Sequence, residues 1–169
     1  RFPFRVESLS LAVDSGGAGQ FRGGLGYEKH VRMLEDAHFM SIADRSILAC
    51  WGVRGGRAGK PFQVTIDPGG PAEREIDALA DAEPVKAGEV IRIRTTGGGG
   101  WGDPLERSPE LVVRDVRWHK VSPEAALADY GVVLTGALEG DSLSYDEAAT
   151  VAVEAAAAAG YVTGTTCVR

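Results

Sequence analysis

The chain has 169 residues, of which 25% are charged and 44% apolar, and its formal net charge is −6. This balance is typical of a folded globular protein and excludes wholesale disorder. The acidic charge argues against a nucleic-acid-binding surface, which needs a basic face, and no apolar run is long enough for a membrane span. We therefore expect a cytoplasmic protein with neither nucleic acid nor membrane as a partner.

The first two-thirds of the sequence shows the alternating apolar pattern of β-strands separated by glycine-rich turns. From Phe4 to Val13 the alternation changes phase by one residue near Ser8, which predicts a strand with a β-bulge. The turn candidate Glu35-Asp36 precedes a strand that is expected to return beside its predecessor. Further strands are predicted at 27–33, 37–42, 62–66 and 90–95, with turns at 67–71 and 85–89.

The last third carries helix signals instead. Ser108-Pro109-Glu110 combines an N-cap residue, a proline in the first turn and an acidic neighbour, which predicts a helix over 109–116. Ser122-Pro123-Glu124 repeats the pattern before a helix that Gly131 ends, and 132–134 follows as a short strand or a buried tail. Ser144 and Glu147 have capping-box spacing before an alanine-rich helix that runs to Ala159 and stops at Gly160.

This order of elements predicts an α+β fold. The region 1–107 is expected to be mainly antiparallel β-structure, sandwich-like and rich in glycine loops, and the region 108–169 to be helical. We expect both regions to belong to one continuous domain.

The 23 glycines cluster in loops, and two of the clusters imitate nucleotide-binding motifs. The run 97–102 matches G-x-G-x-x-G after a strand, but Asp103-Pro104 follows at once and no helix opens inside the motif, as a dinucleotide site requires. The run 55–60 lacks the first glycine and the final Ser or Thr of a phosphate-binding P-loop. Both nucleotide sites are therefore rejected.

Two interpretations of the glycine loops stay open. Glycine costs backbone entropy in regular structure, so a run of four indicates main chain that adopts positive φ, packs tightly or approaches a ligand. The loops are either architectural turns in a crowded interior or interface, or they line a substrate or nucleotide pocket. The candidates for the second interpretation are Arg22, Gly23, Gly24, Gly98, Gly99, Gly100 and Asp103. Asp103 either caps the turn at Pro104 or serves as an acid, a base or a metal ligand.

The sequence identifies no catalytic residue and no metal site. His30, His38 and His119 are far apart and fit no zinc-ligand spacing, and Cys50 and Cys167 are expected to be reduced thiols. No Ser-His-Asp or Cys-His arrangement follows from spacing alone.

The glycine-rich blocks, taken together and in order, resemble those of the hydantoinase B family. The block at 14–26 is similar to that family's D-S-G-G-A-G-x-x-R-G-G-L-G, and the block at 96–107 is similar to its T-x-G-G-G-G-aromatic-G-D-P-x-x-R. Shorter blocks at 41–45, 51–59, 115–116 and 121–133 follow in the family's order, so the resemblance spans about residues 2–133. Cys50 stands where the family is expected to have a proline.

The resemblance implies part of the B-type subunit of a multi-subunit, ATP-dependent enzyme that hydrolyses cyclic amides, similar to N-methylhydantoinase or 5-oxoprolinase. The alternatives are part of an ATP-dependent ketone carboxylase of the acetone or acetophenone type, or a non-catalytic assembly module of such a complex. Either complex would be a hetero-oligomer that acts on a small molecule.

The resemblance also implies where the cofactors belong. ATP is expected on an A-type partner subunit, and a divalent metal in an N-terminal part of the B-type subunit that this chain lacks. The chain is thus expected to correspond to the C-terminal region of a B-type subunit, as a fragment or a separately encoded small subunit. We expect it to bind no cofactor alone and to be inactive in isolation.

Overall fold

The computed structural model describes residues 2–138 and 142–158. The β-rich part contains seven strands: β1 Phe4–Leu11, β2 Tyr27–Met33, β3 Ala37–Ile42, β4 Gln63–Ile66, β5 Arg74–Ile76, β6 Leu79–Val85 and β7 Val90–Arg94. Five of them form an antiparallel sheet in the order β1-β2-β7-β4-β5, and β3 pairs with β6 in a separate antiparallel ribbon. This architecture confirms the predicted α+β fold with mainly antiparallel strands.

The bulge in β1 is confirmed, whereas the expected pairing of β3 is wrong. Val6 lies opposite Val31 and Ser8 lies opposite His30, so Glu7 is the extra residue of the bulge. The strand β3 exists, but it does not return beside β2, because β1 occupies one edge of β2 and β7 occupies the other. The ribbon therefore lies on the face of the sheet instead of extending it.

One hydrophobic core lies between the sheet and the ribbon. Val64 and Ile66 of β4 have no solvent-accessible surface, and Val85 of β6 is almost as deeply buried. The remaining buried members of this core are Met33, Ile76 and Ile91. Alternating inward side chains in β4 and β7 place these residues on one face of the sheet, which makes the β-region a two-layered sandwich.

The described residues of the C-terminal part, up to residue 158, form three α-helices and a small ribbon. A 3₁₀ turn at Pro104–Glu106 precedes α1 Pro109–Arg117 and α2 Pro123–Tyr130, which are followed by β8 Leu134–Thr135, β9 Ser144–Tyr145 and α3 Glu147–Ala158. The first two helices confirm the predictions, and the buried Val132 continues into β8. A second core of valine, alanine, leucine and tyrosine side chains joins α1, α2 and the residues around β8–β9. Ala18, from the loop after β1, is buried in the same cluster.

The helix ends agree with the sequence at α2 and differ at α1 and α3. The Ser122 hydroxyl accepts a hydrogen bond from the Ala125 amide at 3.1 Å, and Gly131 ends α2 with φ of 69°. The Ser108 hydroxyl instead contacts the Glu110 carboxylate and caps no backbone amide.

The predicted capping box at Ser144 is wrong, because Ser144 pairs in β9. Asp146 caps α3, accepting the Ala149 amide at 2.9 Å. Ala159 and Gly160, the predicted end of this helix, lie outside the described residues, as does Cys167. Cys50 is a half-buried free cysteine. Across residues 2–138 and 142–158, no helix is long and apolar enough to cross a bilayer.

Candidate functional site

Three glycine loops meet at one end of the five-stranded sheet. The first loop (residues 14–26) follows β1, the second (50–60) precedes β4 and the third (96–103) follows β7. Leu11 pairs with Tyr27, and Arg94 pairs with both Glu28 and Gln63. All three loops therefore leave the sheet at the same end of its strands. The topology thus assembles three sequence-distant loops in one place.

Main-chain hydrogen bonds join the three loops to one another. The Gly17 amide donates to the Gly98 carbonyl at 2.8 Å, and the Gly98 amide donates to the Gly24 carbonyl at 2.9 Å. The Gly100 amide donates to the Arg57 carbonyl at 2.9 Å, and the Arg57 amide donates to Ala18 at 2.7 Å. Each loop therefore satisfies backbone groups of the other two, as buried polar main chain requires.

The space between the loops leaves no room for side chains at most glycines. A Cβ atom at Gly23, Gly99 or Gly100 would lie within 3.0 Å of a carbonyl of a neighbouring loop, which real Cβ atoms essentially never show. At Gly98 the nearest atom would be 3.2 Å away, and at the exposed Gly24 nothing would lie within 4 Å. Close main-chain packing therefore explains Gly23, Gly99 and Gly100. Contact of these loops with a substrate stays a prediction.

A buried ionic cluster ties the glycine loops to the helices. Asp115 of α1 is 1% exposed, and its Oδ2 accepts hydrogen bonds from Arg22 Nε at 3.0 Å and from Arg107 Nη2 at 2.8 Å. The guanidinium groups also donate to the first loop, Arg22 to the Gly23 carbonyl at 2.6 Å and Arg107 to the Gln20 carbonyl at 3.0 Å. Arg22, proposed from the sequence as a candidate for lining a substrate or nucleotide pocket, thus forms a buried salt bridge.

This cluster carries two positive charges against one negative charge in a low-dielectric setting. Asp115 Oδ1 and Arg107 Nε are buried and have no hydrogen-bond partner among the described residues. The neighbouring Tyr130 is 2% exposed, and its burial raises the pKa of the phenol to about 12, although the positive charges of Arg107 and Arg22 oppose the rise. Tyr130 is therefore a neutral phenol at neutral pH.

The sequence contains a signal for this cluster that lies outside the glycine motifs. Val112, Asp115 and Val116 lie at helical spacing on the buried face of α1. A carboxylate within such an apolar stripe is rarely buried unless it is paired, so its position indicates a buried cationic partner. The identity of the partners, Arg22 and Arg107, follows only from the tertiary structure.

Asp103 caps the turn that ends the third loop. Its Oδ1 accepts the Leu105 amide at 3.0 Å at the start of the 3₁₀ turn. The capping role weighed from the sequence is therefore present in the structure. The Asp103 side chain is also solvent-exposed, so a second role at the surface stays a prediction.

Aromatic side chains form an exposed rim beside the glycine packing. Phe21 and Trp101 stack edge to face with ring centres 5.5 Å apart. The amide of each residue also donates a hydrogen bond to the carbonyl of the other, both at 2.9 Å. The Arg54 guanidinium lies 5.6 Å from the Trp101 ring centre, a cation–π distance. Phe21 is 63% exposed, so this rim is available to a partner or a ligand.

A cavity of about 510 Å³, lined by both apolar and charged side chains, opens where the loops meet the sheet. Its charged lining consists of Glu28, Lys60, Glu75 and Arg94. Burial of Glu28 opposes its ionisation, but hydrogen bonds from Arg94 and His30 outweigh this effect and lower the pKa of the carboxyl below its usual value. The cavity therefore offers the Arg94–Glu28 ion pair and the Lys60 ammonium group, which contacts no carboxylate within the described part of the chain.

The described residues do not fit the cofactors that the resemblance implies. Within residues 2–138 and 142–158, no three His, Cys, Asp or Glu side chains are grouped so that they could hold a metal ion. The amides of Gly17, Gly98 and Gly100 are all used by carbonyls of neighbouring loops, so they cannot cradle a phosphate group. No chemical step can be assigned to a metal or to ATP at these residues.

The sequence of this chain is similar to those of known proteins. The family model described as Hydantoinase B/oxoprolinase matches residues 1–104. The chain is 35% identical to the caprolactamase subunit beta of Pseudomonas jessenii, over 92% of this chain and 26% of that protein. It is 27% identical to the acetone carboxylase alpha subunit of Xanthobacter autotrophicus, over 86% of this chain and 23% of that protein.

Solved structures agree with the sequence relationships. A crystal structure of the ATP-dependent caprolactamase from Pseudomonas jessenii matches 90% of this chain and 26% of its own, with a TM-score of 0.73 and 31% identity. A nucleotide-free acetone carboxylase matches 97% of this chain and 26% of its own, with a TM-score of 0.78 and 23% identity, which is a likeness of fold. The chain spans about a quarter of the length of the caprolactamase and acetone carboxylase subunits named above.

Proposed function

The chain belongs to the hydantoinase B/oxoprolinase family, and we propose that it works as part of the B-type subunit of an ATP-dependent enzyme that hydrolyses cyclic amides. One observation carries the proposal: the likeness to an ATP-dependent caprolactamase extends over nearly the whole chain, in sequence and in fold. Opening a lactam or a related ring at neutral pH is difficult because an amide carbonyl is a poor electrophile. ATP bound to a separate A-type subunit would supply the activation.

In this proposal the chain contributes a rigid support for the site and not its reactive groups. The glycine loops have no spare backbone donors at Gly17, Gly98 and Gly100, and the side chains of Arg22 and Arg107 are held by Asp115. Such a network is suited to holding loop surfaces in a fixed position, which is how supporting residues preorganise a site. The metal and the general acid or base are assigned to the remaining part of a B-type subunit.

The second candidate function is part of an ATP-dependent ketone carboxylase. The observation that favours it is the sequence relationship to the acetone carboxylase alpha subunit, which covers most of this chain. We rank it second because the identity to the caprolactamase subunit is higher over a larger share of the chain.

The test is a reconstitution of the B-type polypeptide with its A-type partner. The complex is supplied with ATP and either a cyclic amide (5-oxoproline, a hydantoin or caprolactam) or acetone with bicarbonate, and ring opening, carboxylation and ATP consumption are measured. We expect ring opening of a cyclic amide that requires ATP and both subunits. Turnover of the ketone alone would reverse the order of the two functions.

A pair of variants separates a supporting role from a catalytic one. Asp103→Asn keeps an N-cap residue but removes the charge, and Arg22→Lys keeps the charge but cannot reproduce the fork that joins Asp115 to the Gly23 carbonyl. We expect Asp103→Asn to retain turnover and Arg22→Lys to lose assembly. If Asp103→Asn abolishes turnover in an intact complex, Asp103 serves the reaction and the supporting role is wrong.

A further inference from the structure

The ribbon that forms the second layer of the sandwich leaves part of the sheet uncovered. The buried core beneath the ribbon draws on β7, β4 and β5 and on the end of β2 at Met33. On the same face of the sheet, β1 presents Val6, Leu9 and Leu11, which are 45%, 65% and 51% exposed. They share this face with Val31, Lys29 and Tyr27, because directly opposed residues of an antiparallel pair point to the same side.

The uncovered face is a groove with defined walls. An apolar cavity of about 210 Å³ lies at its inner side, between Phe4 of β1, Val31 of β2 and residues 37–39 of β3. Among the described residues, β3 pairs only with β6, so its other edge carries unpaired backbone groups. The strand β1 is likewise an edge strand, and all eight of its residues are exposed. Exposed apolar edges of this kind are avoided in free proteins and are normally covered.

Lys29 adds a charge to this otherwise apolar floor. Lys29 is half-buried. It lines the apolar cavity together with Ile93, and it also lines the outer part of the groove together with Leu9. No carboxylate lies within 4 Å of its ammonium group in the part of the chain that the structure describes, whereas some other cations of the sheet, such as Arg32 and Arg94, have carboxylate partners. A half-buried ammonium on an apolar face calls for an opposite charge from whatever covers it.

We propose that an extended strand from another part of the same polypeptide, outside these 169 residues, fills this groove. It would pair with the free edge of β3, place alternate apolar side chains on Leu9 and Leu11, and present a carboxylate to Lys29. The width of the groove favours a strand as its occupant. The uncovered strands β1 and β2 are spaced by about 4.8 Å, so they leave a strip roughly 10 Å wide, which is enough for one extended chain.

The length of the relatives identifies the source of the strand. This chain covers 23–26% of the first relatives it matches, so about three-quarters of their length lies elsewhere and is available to pack here. The inference rests on membership of the family and not on which reaction the enzyme performs.

Site-specific photo-cross-linking in the full-length polypeptide tests the proposal. A benzophenone amino acid replaces Leu9 or Leu11 on the groove face, and the matched control places it at Ser10, which lies between them on the opposite face. We expect both groove positions to cross-link to one peptide outside the 169 residues, in which apolar residues alternate, and Ser10 not to reach that peptide. Cross-links only within the 169 residues, to a second copy, to another subunit or to nothing overturn the proposal.

A charge exchange tests the role of Lys29 separately. Lys29→Glu is expected to lower the melting temperature of the full-length protein, and replacement of the carboxylate in the cross-linked peptide by lysine is expected to restore it. Lys29→Met, which keeps the apolar stem and removes the charge, should not be rescued by that second change. Failure of the exchange to restore the melting temperature contradicts the proposed ion pair.

Discussion

Asp115→Asn is the substitution that should reveal how strongly the helices hold the glycine loops. The wild-type carboxylate is 1% exposed and is the only anion that contacts Arg22 and Arg107 in the described structure, and these side chains are 13% and 7% exposed. Removing one partner of a buried ionic group costs about 3–5 kcal/mol, because the remaining charges stay buried and unpaired. Since asparagine can still accept one hydrogen bond, we expect a loss near the lower end, about 3 kcal/mol.

This loss is a large share of the total for a domain whose free energy of unfolding is about 5–15 kcal/mol. Urea unfolding measures it as a shift of the midpoint at constant slope. Asp129→Asn is the matched control, because the Asp129–Arg57 pair is 33% and 47% exposed and should contribute less than about 1 kcal/mol.

Two further results would refine or refute this reasoning. Adding Arg22→Gln to Asp115→Asn removes one of the two unpaired guanidinium groups, so the double variant should lose less than the sum of the single variants. If Asp115→Asn and Asp129→Asn cost the same, the buried cluster does not stabilise the fold more than an exposed ion pair does.

Three other substitutions test the loops and the turn before β7. Gly100→Ala should lower the free energy of unfolding in urea by at least about 1–3 kcal/mol, because the added Cβ collides with a carbonyl. Gly24→Ala, which has open space around it, should change it by no more than about 0.5 kcal/mol. Equal losses for the two variants would contradict the packing interpretation. Hydrogen bonds from Arg74 and from the Lys86 amide hold the pKa of Glu89 below its usual 4.5, so Glu89→Gln should lose about 1–2 kcal/mol at pH 7. A group with a lowered pKa stabilises the fold above its unfolded pKa, so this difference should shrink as the pH falls from about 5 through the lowered pKa; a difference that is constant with pH would refute the ion pair.

The local elements of the β-region were largely readable from the sequence, whereas strand pairing was not. Alternation located β1, β2, β4 and β7 and even the bulge beside Ser8. A turn at Glu35-Asp36 suggested a hairpin between β2 and β3, but the second edge of β2 is taken by β7, more than fifty residues further along the chain. Local signals cannot register this competition, because it is decided by contacts between distant segments.

Three strands and one helix cap were missed for different physical reasons. The strand β5 has three residues, too few to show a period, and β6 contains Pro84 and a positive φ of 55° at Ala82, which weaken any strand pattern. At α3, both Ser144 and Asp146 are residues that favour N-caps. The pairing of Ser144 in β9 moved the start of the helix to Glu147 and left the cap to Asp146.

The glycine loops show the limit of composition as a guide to a site. Glycine runs indicated that main chain must approach something closely, and the neighbours prove to be other glycine loops at Gly23, Gly99 and Gly100. Because each loop donates hydrogen bonds to the others, no loop can open alone as a lid without breaking bonds to two partners. Of the residues proposed from the sequence to meet a substrate, Gly24 and Asp103 are exposed, Arg22, Gly98 and Gly99 are half-buried, and Gly23 and Gly100 are buried, so contact with a substrate stays a prediction for the accessible ones.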